Sequence, residues 1–170
     1  MNFIIRSAQE GDASGIAKVH VETWQSAYKG QVPEKVLNDL SIEQKSDKWA
    51  KTIAANDPKK SLLVAVSREK IVGFCIVSPS RDADMPDFGE LSAIYVSPAF
   101  QGYGVGLSLM NEGLDFLRKS GYSKAMLWVL KTNAATINFY EKCGWRADGA
   151  EKEEAKDECT LQEVRYRKEF

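Results

Sequence analysis

A chain of 170 residues with 44% hydrophobic and 28% charged side chains suits one globular domain that can bury a substantial core. A formal net charge of −1 removes the general electrostatic case for nucleic acid, and no stretch approaches the roughly 20 apolar residues of a membrane span. Three scattered cysteines (Cys75, Cys143, Cys159) make neither a disulfide framework nor a C-x-x-C pair, and one histidine, His20, cannot build a multi-histidine site, so no metal is expected.

The N-terminal MNFIIRSAQEGD has no long apolar run after a basic start, so it reads as no secretory signal and the chain as cytoplasmic. Asn2 to Arg6 reads as a first strand, and the polar stretch to Asp12 turns the chain, with Asp12 placed as an N-cap. Ile16, Val19, His20, Thr23, Trp24 and Ala27 recur at helical spacing, predicting a helix to about Tyr28 that Lys29-Gly30 ends. Pro33 opens a second helical pattern through Val36, Leu37 and Leu40, which restarts at Ser41, continues through Trp49 and Ile53, and closes at Asn56-Asp57-Pro58. Leu62 to Val66 and Ile71 to Val77 read as strands around a polar hairpin loop, with Gly73 marking a bulge.

After a polar loop over 79–87 comes a strand rich in β-branched and aromatic bulk, with Leu91, Ile94, Tyr95 and Val96. Ser97-Pro98 stops it, since proline has no N–H for a ladder. Gln101-Gly102-Tyr103-Gly104-Val105-Gly106 then leads into an amphipathic helix that ends near Ser120-Gly121. A strand, a glycine-rich turn and a helix N-terminus together bind anions, because the first N–H groups of the helix lack internal partners and glycine lets a phosphate approach the backbone. The spacing is not that of a P-loop, since Leu107 and Ser108 follow Gly106, nor of a dinucleotide fingerprint, which needs glycine at Leu107.

Ala125 to Leu130 reads as a further strand and Ala134 to Lys142 as a short helix. Trp145 to Gly149 and Leu161 to Tyr166 read as a closing strand pair around a solvated, charged hairpin loop, Glu151 to Glu158. The order β-α-α-β-β-β-α-β-α-β-β predicts an α/β fold of the α+β type, with a mixed, mostly antiparallel sheet flanked by helices in a single domain over 1–170.

Two segments carry a resemblance to a known family. The strand ending IYVSP followed by QGYGVG, with Gln101, Gly104 and Gly106 as Gln-x-x-Gly-x-Gly, resembles the coenzyme A-binding core of the GNAT (Gcn5-related N-acetyltransferase) superfamily. Further along, Asn133, Phe139, Tyr140, Glu141 and Gly144 match that family's Asn-x-x-Ala-x-x-Phe-Tyr-Glu-x-x-Gly-Phe pattern. Thr136 departs from its small residue, and Trp145 replaces the final Phe. The resemblance covers nearly the whole chain and implies an acetyl-CoA-dependent N-acetyltransferase.

It further implies that acetyl-CoA contacts Ile94, Tyr95 and Val96 on the central strand and the loop Gln101, Gly102, Tyr103, Gly104, Val105, Gly106 and Leu107. Asn133 would meet the pantetheine arm, and Tyr140 would lie near the thioester sulfur as the acid for the leaving thiolate. A backbone N–H near Tyr95 or Val96 would receive the developing oxyanion. For the base, Glu90 on the central strand is the first candidate, read by alternation as sharing a face with Ser92 and Ile94. Glu22 and a water chain remain alternatives.

Thr23 to Gly30 resembles the family's Trp-x-x-x-Tyr-x-Gly segment, so Trp24 and Tyr28, four apart on one helix face, are expected to wall the acceptor pocket. His20, one turn earlier, reads as structural. The acceptor is expected to be a primary amine on a small molecule or peptide, without nucleic acid or membrane as partner, and a homodimer is among the assemblies the family implies. A non-catalytic acyl-CoA sensor and a transferase for longer acyl chains are the competing readings.

Overall fold

The computed structural model describes residues 2–156 and 159–170. In chain order it runs β1 (Ile4–Ser7), α1 (Ala13–Ala27), α2 (Glu34–Asn38), α3 (Ile42–Ala55), β2 (Ser61–Ser67), β3 (Lys70–Pro79), β4 (Gly89–Val96), α4 (Val105–Lys119), β5 (Lys124–Leu130), α5 (Ala134–Lys142), β6 (Arg146–Lys156) and β7 (Cys159–Glu169). The strands form one seven-stranded sheet in the order β1-β2-β3-β4-β5-β7-β6, antiparallel at every pairing except β4 with β5. The second helical pattern is two helices, because Ser41 stops α2's continuation and caps α3 by accepting the Gln44 N–H at 3.2 Å.

Alternation divides the strands between two cores. Leu63, Ala65, Cys75, Val77, Leu91 and Leu127 turn to one face, where Leu109, Met110 and Leu117 of α4 cover them. Val64 and Phe74 turn to the other, beneath Ile16 and Val19 of α1, with Trp49 and Ile53 of α3 packed at the margin. Trp145 is buried against α4, its indole Nε1 donating to Met110 Sδ at 3.2 Å. Among the described residues no helix is long and apolar enough to cross a membrane.

Several local readings change. Asp12 sits at the α1 N-cap position without capping it: its carboxylate accepts from Arg6 at 2.6 and 3.0 Å and from the Gln9 N–H at 2.7 Å. The bulge expected at Gly73 falls on its neighbour, since Ala65 pairs with Gly73 and Val66 with Ile71, which leaves Val72 extra. The charged run is strand as far as it is described. Residues 151–156 belong to β6 and pair with β7, while 157–158 lie outside the described residues. Backbone pairing with β7 holds an edge strand whatever its side chains, and charge on such an edge discourages pairing with another chain.

The β6–β7 hairpin is tied to the rest of the sheet by Arg165, which is 7% exposed. Its guanidinium donates to Asp148 at 2.8 Å, and to Asp82 and Asp84 at 2.9 Å each. Asp82 also accepts from Trp128 Nε1 at 3.1 Å. This clasp pins the loop over 80–88 to β6 and β7. Arg165→Met leaves the buried Asp148 carboxylate without its cation and is expected to cost about 3 kcal/mol of stability in urea unfolding. A loss under about 1 kcal/mol would mean that water satisfies the carboxylates as well as the guanidinium does.

Candidate active site

β4 and β5 pair only at their beginnings, Gly89 with Ala125 and Glu90 with Met126. The cause lies on the opposite edge of β4, where Val77 pairs with Leu91 and Ile76 with Ala93, so Ser92 is an extra residue. A bulge bends its strand and sharpens its twist, and here it turns β4 away from β5. From Leu91 onward the backbone edge of β4 that faces β5 has no strand partner, and a cleft of about 1610 Å³ opens there.

The same bulge corrects the reading of Glu90. Because Ser92 breaks the alternation, Leu91, Ile94 and Val96 face the α4 core, while Ala93 and Tyr95 face α1. Glu90, opposite in sense to Leu91, therefore shares the α1 face with Tyr95 rather than with Ile94. It is 2% exposed and is held by Arg81, whose Nη2 donates at 2.6 Å and whose backbone N–H donates at 3.0 Å. The Arg81 side chain is 71% exposed at the cleft wall, and the hydrogen bond to Glu90 raises its pKa, with Glu154 adding a smaller effect.

One end of the cleft is the N-terminus of α4. Pro98–Phe100 forms a single 3-10 turn, and Gly102 and Gly104 follow at φ 81° and 82°, a conformation that glycine adopts without strain. The first helical hydrogen bond runs from Ser108 N–H to Gly104 O at 3.0 Å, so Val105, Gly106 and Leu107 present N–H groups that have no intrahelical acceptor. Gly106 differs from the other two glycines. Its backbone is ordinary helix, and a Cβ there would meet Phe139 at 3.5 Å, normal contact, so nothing in the fold requires glycine at that point of the cleft wall. A phosphate lying against the backbone would require it.

Gln101 turns inward, its Nε2 donating to Val96 O at 3.1 Å. Val105 is buried in the core and Tyr103 is 57% exposed, and neither side chain lines the cleft. The loop therefore fits a pyrophosphate through backbone N–H groups and the helix dipole, with no cationic side chain among residues 101–107.

α5 supplies the other motif residues. Asn133 caps this helix, its Oδ1 accepting from Thr136 N–H at 3.2 Å, which leaves its amide nitrogen for the cleft. Tyr140 is 6% exposed, packed between Phe139 and Trp145 at ring distances of 5.5 and 6.1 Å. Its hydroxyl has no hydrogen-bond partner among the described residues. No buried side-chain oxygen or nitrogen is left unpartnered there, so this hydroxyl opens into the cleft that Tyr140 lines. Burial pushes the phenol well above its usual range, so it keeps its proton.

Trp24 and Tyr28 form the far wall, rings 4.4 Å apart and edge to face. Trp24 is also core, packed with Val36, Leu37, Leu130 and Leu161, and its indole N–H donates to Tyr95 Oη at 3.3 Å. His20 lies stacked on Tyr95 at 5.2 Å, and its Nδ1 accepts from Trp49 Nε1 at 3.2 Å, a place in an aromatic cluster. Burial raises the pKa of both Tyr28 and Tyr95, and the Glu163 and Glu154 carboxylates add to it. Glu22 accepts from Ser97 Oγ at 3.4 Å and does not line the cleft.

The cleft thus gathers Glu90, Ile94, Tyr95, Val96, most of the glycine loop, Asn133, Tyr140, Trp24 and Tyr28. It also includes Arg81 and Glu163, which no motif signals, and Lys152 and Glu154 from the charged run that reads as solvated loop. Only alternation within the charged run, Lys152 and Glu154 inward against Glu151 and Glu153 outward, could have signalled the last group.

Comparison with known proteins points to one family and one fold. The sequence model of the Acetyltransferase (GNAT) family matches residues 19–145. The Bacillus subtilis protein named as uncharacterized N-acetyltransferase YuaI is 33% identical over 138 residues, 81% of this chain and 76% of that one. An Archaeoglobus fulgidus protein named as uncharacterized N-acetyltransferase is 29% identical over 80% of this chain and 88% of its own. In fold, the chain superposes over its full length on the PaiA N-acetyltransferase of Thermoplasma acidophilum in complex with coenzyme A, TM-score 0.79 at 21% identity and 100% coverage of both. It superposes likewise on the Salmonella typhimurium YncA structure with acetyl-CoA, TM-score 0.73 at 19% identity, covering 99% of this chain and 94% of that one. The chain belongs to the GNAT family of acetyltransferases.

Proposed function

We propose that this acetyltransferase moves the acetyl group of acetyl-CoA to a primary amine by direct attack in a ternary complex. The observation that carries the reading is a single cleft holding an anion-binding helix N-terminus at one end and, on its wall, a buried phenol with an unspent hydroxyl. Gly102, Gly104, Gly106 and the N–H groups of 105–107 would hold the pyrophosphate, and Asn133 the pantetheine arm. Of the two candidates, Tyr95 and Val96, alternation from the Ser97 N–H bond to Val72 O leaves Val96 on the unpaired edge of β4, where its backbone N–H would meet the negative charge developing on the thioester oxygen.

An alkylamine has a pKa of about 10.4 and attacks only when neutral. Its proton passes to Glu90, or to water held near it, with Arg81 keeping the carboxylate in place. As the new C–N bond forms and the C–S bond breaks, Tyr140 gives its proton to the thiolate and recovers one from solvent. No protein nucleophile takes part. Trp24 and Tyr28 would guide a cationic acceptor by the faces of their rings.

The test is release of thiol from acetyl-CoA by the purified protein, with polyamines, amino acids, aminoglycosides and short peptides supplied in turn. Cys143 and Cys159 are partly exposed and are blanked first. Amine-dependent release is the expected result. Silence across the panel, with acetyl-CoA still raising the melting temperature, would overturn the amine-transfer reading in favour of a sensor.

A further inference from the structure

The charged groups on the cleft wall are almost all neutralised by close partners. Glu90 is held by Arg81 at 2.6 Å, Asp82 by Arg165 at 2.9 Å, Glu163 by Lys152 at 3.5 Å and Asp57 by Lys60 at 3.7 Å. Lys152 additionally lies over the Trp128 ring at 4.4 Å. Glu154 is the exception among these carboxylates: none of the close ion pairs of the described residues includes it, and Arg81, within its electrostatic reach, spends its hydrogen bonds on Glu90.

Glu154 is held on the cleft side by the register of the hairpin. It pairs across from Leu161, and Lys152 pairs across from Glu163, all four lining the cleft, while the alternate residues Glu151, Glu153 and Ala155 are exposed. Glu154 lines the same cleft as Tyr28 and Tyr95, and its charge adds to the burial that raises both phenols. Independently of this charge, Tyr140, 6% exposed, opens an unpartnered hydroxyl into the same cleft and marks it as a ligand site.

We propose that Glu154 binds a second ammonium group of the acceptor, so that the preferred acceptors are alkyl diamines rather than monoamines. The inference rests on the amine-transfer reading above and deepens it. The reacting nitrogen lies where β4 and β5 part, whereas Glu154 stands on β6, beyond β5 and β7 in the sheet. Strands lie about 4.8 Å apart, so, allowing for the reach of the glutamate, the two nitrogens are separated by roughly four to eight carbons. The intervening methylenes run along Trp24, Tyr28 and Leu161, largely apolar surface that suits an alkyl chain. Glu154 is a binding residue, distant from the bonds that change.

The experiment measures kcat and KM for straight-chain α,ω-diamines against monoamines of equal length. Wild-type protein is expected to prefer the diamine about tenfold in kcat/KM, through KM, the size of one half-buried charge-assisted hydrogen bond. Glu154→Gln is expected to bring that ratio near one. Glu153→Gln, its outward-facing neighbour, keeps the preference. Equal rates for diamine and monoamine in the wild type, or a preference that survives Glu154→Gln, overturn the proposal while leaving amine transfer standing. Thiol release with neither kind of amine, with acetyl-CoA binding intact, overturns both.

Discussion

Tyr140→Phe is expected to lower kcat about 100-fold while the Kd for acetyl-CoA stays within about twofold, the lower range of what a positioned general acid contributes. The substitution is a clean one. Phenylalanine keeps the ring that packs between Phe139 and Trp145, and the hydroxyl it removes bonds to nothing among the described residues, so neither the fold nor a neighbour loses a partner.

What is lost is a proton held in reserve. Burial raises the phenol far enough that it is protonated throughout any working pH range, and a thiolate of pKa near 8.5 leaves more readily with a donor beside it than without one. Stopped-flow measurement of the acetyl transfer step, beside calorimetric titration with acetyl-CoA, separates the two effects. An unchanged rate removes Tyr140 from the mechanism. A rate loss matched by an equal loss of affinity makes it a binding residue instead.

The parts of this site that could be read along the chain are those set by local conformation. Gly102 and Gly104 are needed for their positive φ, and Ser97-Pro98 for the strand's end, whatever else surrounds them. Trp24 and Tyr28 share a wall because the helix period puts them there. What escaped the reading depends on partners far away in sequence. The extra residue at Ser92 is visible only once β3 is laid beside β4, and that single residue decides both which face Glu90 occupies and where β4 leaves β5. Arg165 looks like any strand arginine until Asp82 and Asp84 from the loop before β4 meet it. Glu154 sits in a run of like residues whose composition suggests solvent. The register with β7 turns it inward, and composition carries no register.

Gly104→Glu is expected to weaken coenzyme A binding by more than 100-fold. Two costs combine at this position. The residue sits at φ 82°, where an L side chain is strained by about 1–2 kcal/mol, so the loop resists any replacement. It also stands directly before the free N–H groups of Val105, Gly106 and Leu107, where a carboxylate about 5 Å from a phosphate opposes it by about 3 kcal/mol at an effective dielectric constant near 20. With no lysine or arginine in residues 101–107, the loop has no side-chain cation to absorb the added charge.

Gly104→Asn separates the two terms, since asparagine tolerates the left-handed region and is neutral. It is expected to bind coenzyme A within about tenfold of wild type. Beyond its chain neighbours, nothing among the described residues lies within 4 Å of a Cβ at this position, so neither variant is expected to disturb the core, and an unchanged melting temperature without ligand checks that. Coenzyme A binding retained by Gly104→Glu would mean that the pyrophosphate lies elsewhere in the cleft. Equal loss in both variants would assign the effect to backbone conformation and leave the helix N-terminus with no demonstrated part in holding the anion.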